Sequence, residues 1–253
     1  TATCSATVSV NDANGNCCNA PQAICQSAPV LFLNGSGMAT LTASQVNNGS
    51  TADCGLQSLQ VSPTNFNCTH VGIPQTVILT VTDIYNNTSS CQTSLSVQDN
   101  TPPSVACKTH SVNLSGSTAS ITPSDVYDTG SDNCGTVNLQ SVSPDSFGCN
   151  NVGSNTVTLT VNDGKGNTAT CSATVNVNDA TPPDIFCQNI SVDLIGSSVE
   201  ISPSDVYDFG SDNCGTVNLV SVSPNTFTCN NTGSNTVVLT ANDGNGNVST
   251  CSA

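Results

Sequence analysis

Two kinds of side chain recur in this chain at spacings that could do chemistry: cysteines and aspartates. Fifteen cysteines occur in 253 residues, and twelve fall into three sets of four held in register. The first members are Cys25, Cys107 and Cys187. The second members, Cys54, Cys134 and Cys214, follow at 80-residue steps. The third are Cys68, Cys149 and Cys229, and the last are Cys91, Cys171 and Cys251. Thiols at this density in a repeating chain are disulfide formers, which implies an oxidising compartment and an extracellular or cell-surface location. The aspartates also recur. Asp99 and Asp179 precede "TPP", Asp128, Asp132, Asp208 and Asp212 precede the second cysteine, and Asp163 and Asp243 open "DGKGN" and "DGNGN". Clustered carboxylate oxygens suit Ca2+, which takes six to eight hard ligands. The same residues also make Asx-turns and caps. For Asp125 and Asp205 the capping reading is taken, because their counterpart in the first repeat is Gln45, which serves equally at the third position of a capping box.

A fixed period with cysteines in register means one small domain copied in tandem. "TVILTVTD" (76–83), "TVTLTVND" (156–163) and "TVVLTAND" (236–243) alternate apolar with β-branched or small residues, as strands do. Helical periodicity is absent. "SPSD" at 202–205 places Ser at an N-cap, Pro at the first position and Asp at the third, which starts a short helical turn. The expected fold is therefore all-β: tandem immunoglobulin-like antiparallel β-sandwich repeats of about 80 residues, arranged as a rod. The expected division is 1–12 as the last strand of a preceding repeat and 13–20 as an inserted linker with a cysteine pair. Repeats follow at 21–99, 100–179 and 180–253, the third with its final strand incomplete. Units of this size bury a thin core, and 4% aromatic content makes it thinner.

In an immunoglobulin-like topology the first and last strands lie side by side in parallel, which suggests the pairs Cys25–Cys91, Cys107–Cys171 and Cys187–Cys251. The remaining pairs would then be Cys54–Cys68, Cys134–Cys149 and Cys214–Cys229. Four cysteines admit three connectivities, so the pairing is an inference. Cys4, Cys17 and Cys18 lie outside the sets. Cys17 and Cys18 could form a vicinal bridge, link to Cys4, or join two chains. The same topology puts Asp99 near Asp128, Asp132 and Asp163, and Asp179 near Asp208, Asp212 and Asp243. At the first junction Asn48 and Ala52 replace the loop aspartates, so a weak or absent metal site is expected there.

"DATPPDIFC", "SDNCG", "FTCNNTGSNTVVLTANDGNGNVSTC" and "SATVNVND" together resemble hyalin-type (HYR-like) immunoglobulin-like repeats. The variant they resemble is that of very large surface adhesins of Bacteroidota, gliding-motility adhesins among them. The resemblance covers about residues 21–253 and implies a spacer that holds something else away from the cell. A further cysteine that many hyalin repeats carry in the second strand is absent from "STASITP" and "SSVEISP".

The formal charge is −15, with Lys108 and Lys165 the only cations besides histidine. Such a surface cannot neutralise phosphates, which excludes nucleic acid and anionic membrane surfaces as partners. No segment is long and apolar enough for direct membrane insertion. His70 and His110 are isolated, no Ser-His-Asp grouping recurs, and "DGNGN" opens no helix that could cradle phosphate, so the chain reads as no enzyme. Sequons occur at Asn34, Asn48, Asn67, Asn86, Asn87, Asn113, Asn189, Asn230 and Asn247; in an Asn/Ser/Thr-rich chain many arise by chance, and they mark glycosylation only where the host has the machinery. The expected function is a structural segment of an extracellular fibre or adhesin stalk, disulfide-stapled and stiffened by Ca2+. Its partners would be neighbouring repeats, other copies in a fibre, and an unidentified surface or glycan ligand. One alternative is a glycan- or protein-binding adhesive module, against which the near-identity of the second and third repeats argues. Another is a self-polymerising filament subunit that donates a strand between copies.

Overall fold

The computed structural model describes residues 3–9 and 18–253. It is an immunoglobulin-like antiparallel β-sandwich protein, and its described residues form two compact units. The first is Thr1–Ser104 with Gly130–Asn138 and Asn162–Ala169; the second is Val105–Thr129, Leu139–Val161 and Thr170–Ala253. These units do not follow the repeat boundaries, because two loops of the second repeat belong with the first.

In the first unit the strands are β1 (Val30–Phe32), β2 (Met38–Thr40), β3 (Leu56–Ser62), β4 (Asn65–Asn67), β5 (Gln75–Asp83) and β6 (Thr88–Gln98). They make a four-stranded sheet in the order β1-β6-β5-β3 and a two-stranded sheet β2-β4. β1 runs parallel to β6, with Val30 opposite Ser96 and Phe32 opposite Gln98. Period-two alternation puts Val77, Leu79 and Val81 of β5 on one face, and all three are fully buried with Leu95 and Val97 of β6. Each such side chain contributes about 1.5–3 kcal/mol on burial. Phe66 is the one large aromatic in this core.

Wholly or for the most part in the second unit are β7 (Ser104–Cys107), β8 (His110–Asn113), β9 (Thr118–Ser120), β10 (Tyr127–Ser131), β11 (Asn138–Ser143), β12 (Ser146–Gly148), β13 (Gly153–Asn162) and β14 (Thr168–Asn178). It continues with β15 (Asp184–Cys187), β16 (Ser198–Glu200), β17 (Tyr207–Ser211), β18 (Asn218–Ser223), β19 (Thr226–Thr228), β20 (Val238–Asn242) and β21 (Val248–Ser252). Its sheets are β11-β13-β14-β8, β10-β7 and β12-β9, then β18-β20-β21, β15-β17 and β16-β19. The first strand of the second repeat is thus split between two sheets: β7 pairs with β10, and β8 runs parallel to β14. The expected short helical turns form at Ala43–Val46, Pro123–Val126 and Pro203–Val206. Each is closed by a capping box, Thr42 with Gln45, Thr122 with Asp125 and Ser202 with Asp205. Hydrogen bonds from the Thr122 backbone and hydroxyl lower the Asp125 pKa from its usual value.

The cysteines pair in two classes. Cys25–Cys91, Cys107–Cys171 and Cys187–Cys251 join the first and last strands of one repeat. The expected Cys54–Cys68, Cys134–Cys149 and Cys214–Cys229 bonds do not form. Cys68 bonds Cys134, Cys149 bonds Cys214, and Cys54 bonds Cys18. The reason is the strand between the two cysteines. β3 has 7 residues, about 23 Å at the usual rise, and it carries the chain from one end of the sandwich to the other. A disulfide tolerates a Cα separation of roughly 7 Å at most. The third cysteine therefore meets the second cysteine of the following repeat, with Cα atoms 5.1 Å apart for Cys68–Cys134. Cys18, in the inserted linker, serves as the partner for Cys54, in place of the vicinal bridge or the link to Cys4. Among the described residues Cys4 and Cys229 are free and exposed; Cys17 lies outside them.

Asp83 continues the buried face of β5 and closes the hairpin to β6. Its carboxylate accepts the N–H of Tyr85 and Asn87 at 2.9 and 2.8 Å and the Asn87 amide at 2.9 Å. Burial works to raise its pKa, but the hydrogen bonds from Asn87 and Tyr85 outweigh it, and the net shift is downward.

Non-reducing digestion and mass spectrometry should recover Cys68 linked to Cys134 and Cys149 linked to Cys214. A peptide joining Cys54 to Cys68 would contradict the pairing. Asp83→Asn should lower the melting temperature near neutral pH by roughly 3–8 °C. A lowered folded pKa stabilises above the ordinary carboxylate range and loses that stabilisation as the pH falls through it. The gap between wild type and Asp83→Asn should therefore narrow between about pH 5 and pH 2.

Candidate metal centres

The chain places an aspartate at the end of each core-facing alternation. Leu95 and Val97 of β6 lead to Asp99, and Val175 and Val177 of β14 lead to Asp179; both aspartates are 7% exposed. Val161 of β13 leads to Asp163, and Ala241 of β20 leads to Asp243, at 2% and 3%. Burial at these positions follows from strand parity. The third carboxylate, Asp132 or Asp212, comes from the loop before the second cysteine. One oxygen from each of Asp99, Asp132 and Asp163 lies within 4.8 Å of the others, and the same holds for Asp179, Asp212 and Asp243. The first trio lies within the first unit and the second within the second.

Asp128 and Asp208, expected in these groups, are not in them. They stand exposed on β10 and β17. Those strands pair with β7 and β15, so both residues sit in a paired strand before the loop turns inward, Asp208 at the register shift between Tyr207 and Phe209. At the first junction Asp83 makes the same turn, but Ala52 stands where the loop aspartate would be, and Asp12 lies outside the described residues.

Neighbouring groups hold each trio. Asp163 Oδ1 accepts the N–H of Lys165, Gly166 and Asn167 at 2.7–3.0 Å. Burial works to raise the Asp163 pKa, and hydrogen bonds from Lys165, Asn167 and Gly166 reverse it to a net lowering. Asp243 is lowered in the same way against its burial, by Asn247 and Asn245. Asn167 also donates its amide to the Asp99 carbonyl at 3.2 Å, and Asn247 to that of Asp179 at 3.1 Å. Asn133 donates to Asp99 Oδ1 at 3.1 Å and to the Asn34 carbonyl at 3.0 Å. Asn213 repeats this with Asp179 Oδ1 at 3.2 Å and Gly116 at 2.6 Å. Cys134 and Cys214 give their N–H to Asp132 and Asp212 at 2.8 Å. Gly135 lets the loop close: a Cβ there would stand 2.7 Å from the Asp163 carbonyl oxygen, and Gly215 meets the Asp243 carbonyl likewise. The asparagines and this glycine were not singled out as site residues. The signal was their recurrence in "SDNCG" and "DG-GN".

Some oxygens remain without donors. In the first group they are Asp99 Oδ2, Asp132 Oδ1 and Asn133 Oδ1, and in the second Asp212 Oδ1 and Asn213 Oδ1, all buried. The difference is Asn245, which donates to Asp179 Oδ2 at 3.0 Å; Lys165 occupies that position in the first group. Buried oxygens without donors are costly, by roughly 1–3 kcal/mol each and more when charged. The donor set is all oxygen, which suits a hard divalent cation and not zinc.

Residues 98–177 match the family model of the HYR domain. No curated protein sequence matches the chain. Among solved structures it is similar to the I-band fragment I67–I69 from titin, at 12% identity and TM-score 0.45, over 92% of this chain and 97% of that one. It is also similar to protocadherin gamma B7 extracellular cadherin domains 1–4, at 14% identity and TM-score 0.33, over 92% and 75%. The second repeat, with one aspartate trio at its start and one at its end, is the part of the chain that carries the HYR match.

Proposed function

We propose that this chain is a structural segment of an extracellular fibre or adhesin stalk. It comprises three immunoglobulin-like modules at 21–99, 100–179 and 180–253, and their junctions are held by disulfides and by Ca2+. The setting that fits is a large surface adhesin of the kind its motifs resemble in Bacteroidota. The observation that carries the reading is the set of buried carboxylate and amide oxygens without donors at Asp99, Asp132, Asn133, Asp212 and Asn213. They lie where the last strand of one repeat leads into the next. A cation there would neutralise three converging carboxylates and tie that strand's final aspartate to two loops of the following module. The Cys68–Cys134 and Cys149–Cys214 bonds act at the same places. Such a segment works by spanning distance while resisting unfolding and proteolysis. Six disulfides among the described residues accord with folding in an oxidising compartment. No helix of the described residues is long and apolar enough to cross a membrane.

Calcium titrated into chelator-stripped protein should release or absorb heat with about two sites per chain. At 10 mM it should raise the melting temperature by roughly 3–10 °C, given the weak affinity usual of extracellular modules. Asp132→Asn combined with Asp212→Asn should abolish both effects. Digestion by a non-specific protease should quicken stepwise on chelation and again on reduction. Absence of any heat and of any thermal shift with calcium would remove the metal from this function.

A further inference from the structure

The two aspartate trios are built alike and differ at one side chain. Asp99 Oδ1 accepts the N–H of Thr101 and the amide of Asn133, both at 3.1 Å. Asp179 Oδ1 accepts the matching donors, Thr181 and Asn213, both at 3.2 Å. Asp163 and Asp243 are also alike. In each, three backbone N–H groups fill Oδ1, and the amide of Asn167 or Asn247 takes Oδ2. These two carboxylates hold their turns and have little capacity left for a cation.

The difference lies at Oδ2 of the linker aspartate. The Asn245 amide nitrogen donates to Asp179 Oδ2 at 3.0 Å and to the Cys214 carbonyl at 3.1 Å. Lys165 stands at that position in the first trio. Its backbone N–H goes to Asp163. Its side chain does not serve Asp99 Oδ2 or Asp132 Oδ1, which stay without a donor. Asp99 is only 7% exposed, so a buried carboxylate oxygen stands unsolvated beside two further carboxylates.

We infer that, with calcium at both trios as proposed above, the first binds the ion more tightly and Asn245 is the residue that weakens the second. In the first trio a cation meets three buried oxygens without competitors, from Asp99, Asp132 and Asn133. In the second it must displace the Asn245 amide before Asp179 Oδ2 can coordinate. A hydrogen bond given up on binding subtracts from affinity. The Lys165 charge works in the opposite direction, since it repels a cation. Lys165 is exposed, however, and water and salt screen it. The two trios therefore fill at different calcium levels. The second keeps its linker aspartate tied by an amide where the first already needs the metal.

Calorimetry on the full chain, stripped with chelator, reads each trio separately. Asp212→Asn leaves the first trio intact, and Asp132→Asn leaves the second. The first should bind calcium about tenfold more tightly. Asn245→Ala, added to Asp132→Asn, changes an exposed hairpin residue and keeps the backbone N–H to Asp243. It should tighten the second trio by roughly three- to tenfold. Lys165→Asn, added to Asp212→Asn, should weaken the first trio by a similar factor, whereas charge repulsion alone would tighten it. Equal affinities would overturn the inference and leave calcium in place. So would an Asn245→Ala change that does not tighten binding, or a Lys165→Asn change that does not weaken it. No heat and no thermal shift at either trio would overturn the calcium reading as well.

Discussion

The rest of the structure depends on carrying a carboxylate to the end of a buried β face. Alternation along β5, β6, β13, β14 and β20 keeps Val, Leu and Ala inside, and the next residue of the same parity is an aspartate. An ionised group in that position needs donors. Asp83, Asp163 and Asp243 find them in the backbone of the hairpin they open, so the need for solvation shapes the turn. Asp99 and Asp179 find fewer, and what is missing must come from the following loop or from a cation. Thin cores, with Phe66 and Phe147 the large aromatics buried among the described residues, thus gain definition from polar groups at their rims.

Much of this was legible in the sequence. The period of the cysteines gave the repeat, alternation gave the strands, and "SPSD" gave the capped turn at Pro203–Val206. Three of the disulfides could be read from topology alone. The other three could not, because a disulfide needs two cysteines at the same end of a sandwich. Cys54 and Cys68 are only 14 positions apart in the chain (68 − 54), yet β3 separates them along its whole length. Asp128 and Asp208 were misplaced for a related reason. They precede the inward loop by only four residues, but those residues belong to β10 and β17, and a paired edge strand fixes its side chains before the loop begins. The asparagines at 133, 167, 213 and 247 do as much to hold the sites as the aspartates, and composition hid them among many ordinary asparagines.

The three repeats also show one junction solved in two ways. In the second and third, a cysteine from the preceding repeat bonds the loop cysteine, and an aspartate of that loop faces the linker. In the first, the inserted segment supplies Cys18 for the same bond and Ala52 replaces the aspartate. Covalent closure is kept while the carboxylate is dropped. The two devices are therefore separable, and the disulfide is the one present at all three loop cysteines.

The order of the bonds along the chain has a consequence under tension. The loops closed by Cys25–Cys91, Cys107–Cys171 and Cys187–Cys251 are bypassed by their own bridges. Between Cys25 and Cys251 the shortest covalent route crosses backbone only from Cys91 to Cys107 and from Cys171 to Cys187, sixteen positions each (107 − 91; 187 − 171). Even fully drawn out, each connector reaches about 55 Å. Most of the polypeptide is thus excluded from the contour length. A pulled molecule can lose its fold at the junctions without paying out its domains, and it behaves as a chain of short links instead of a long thread.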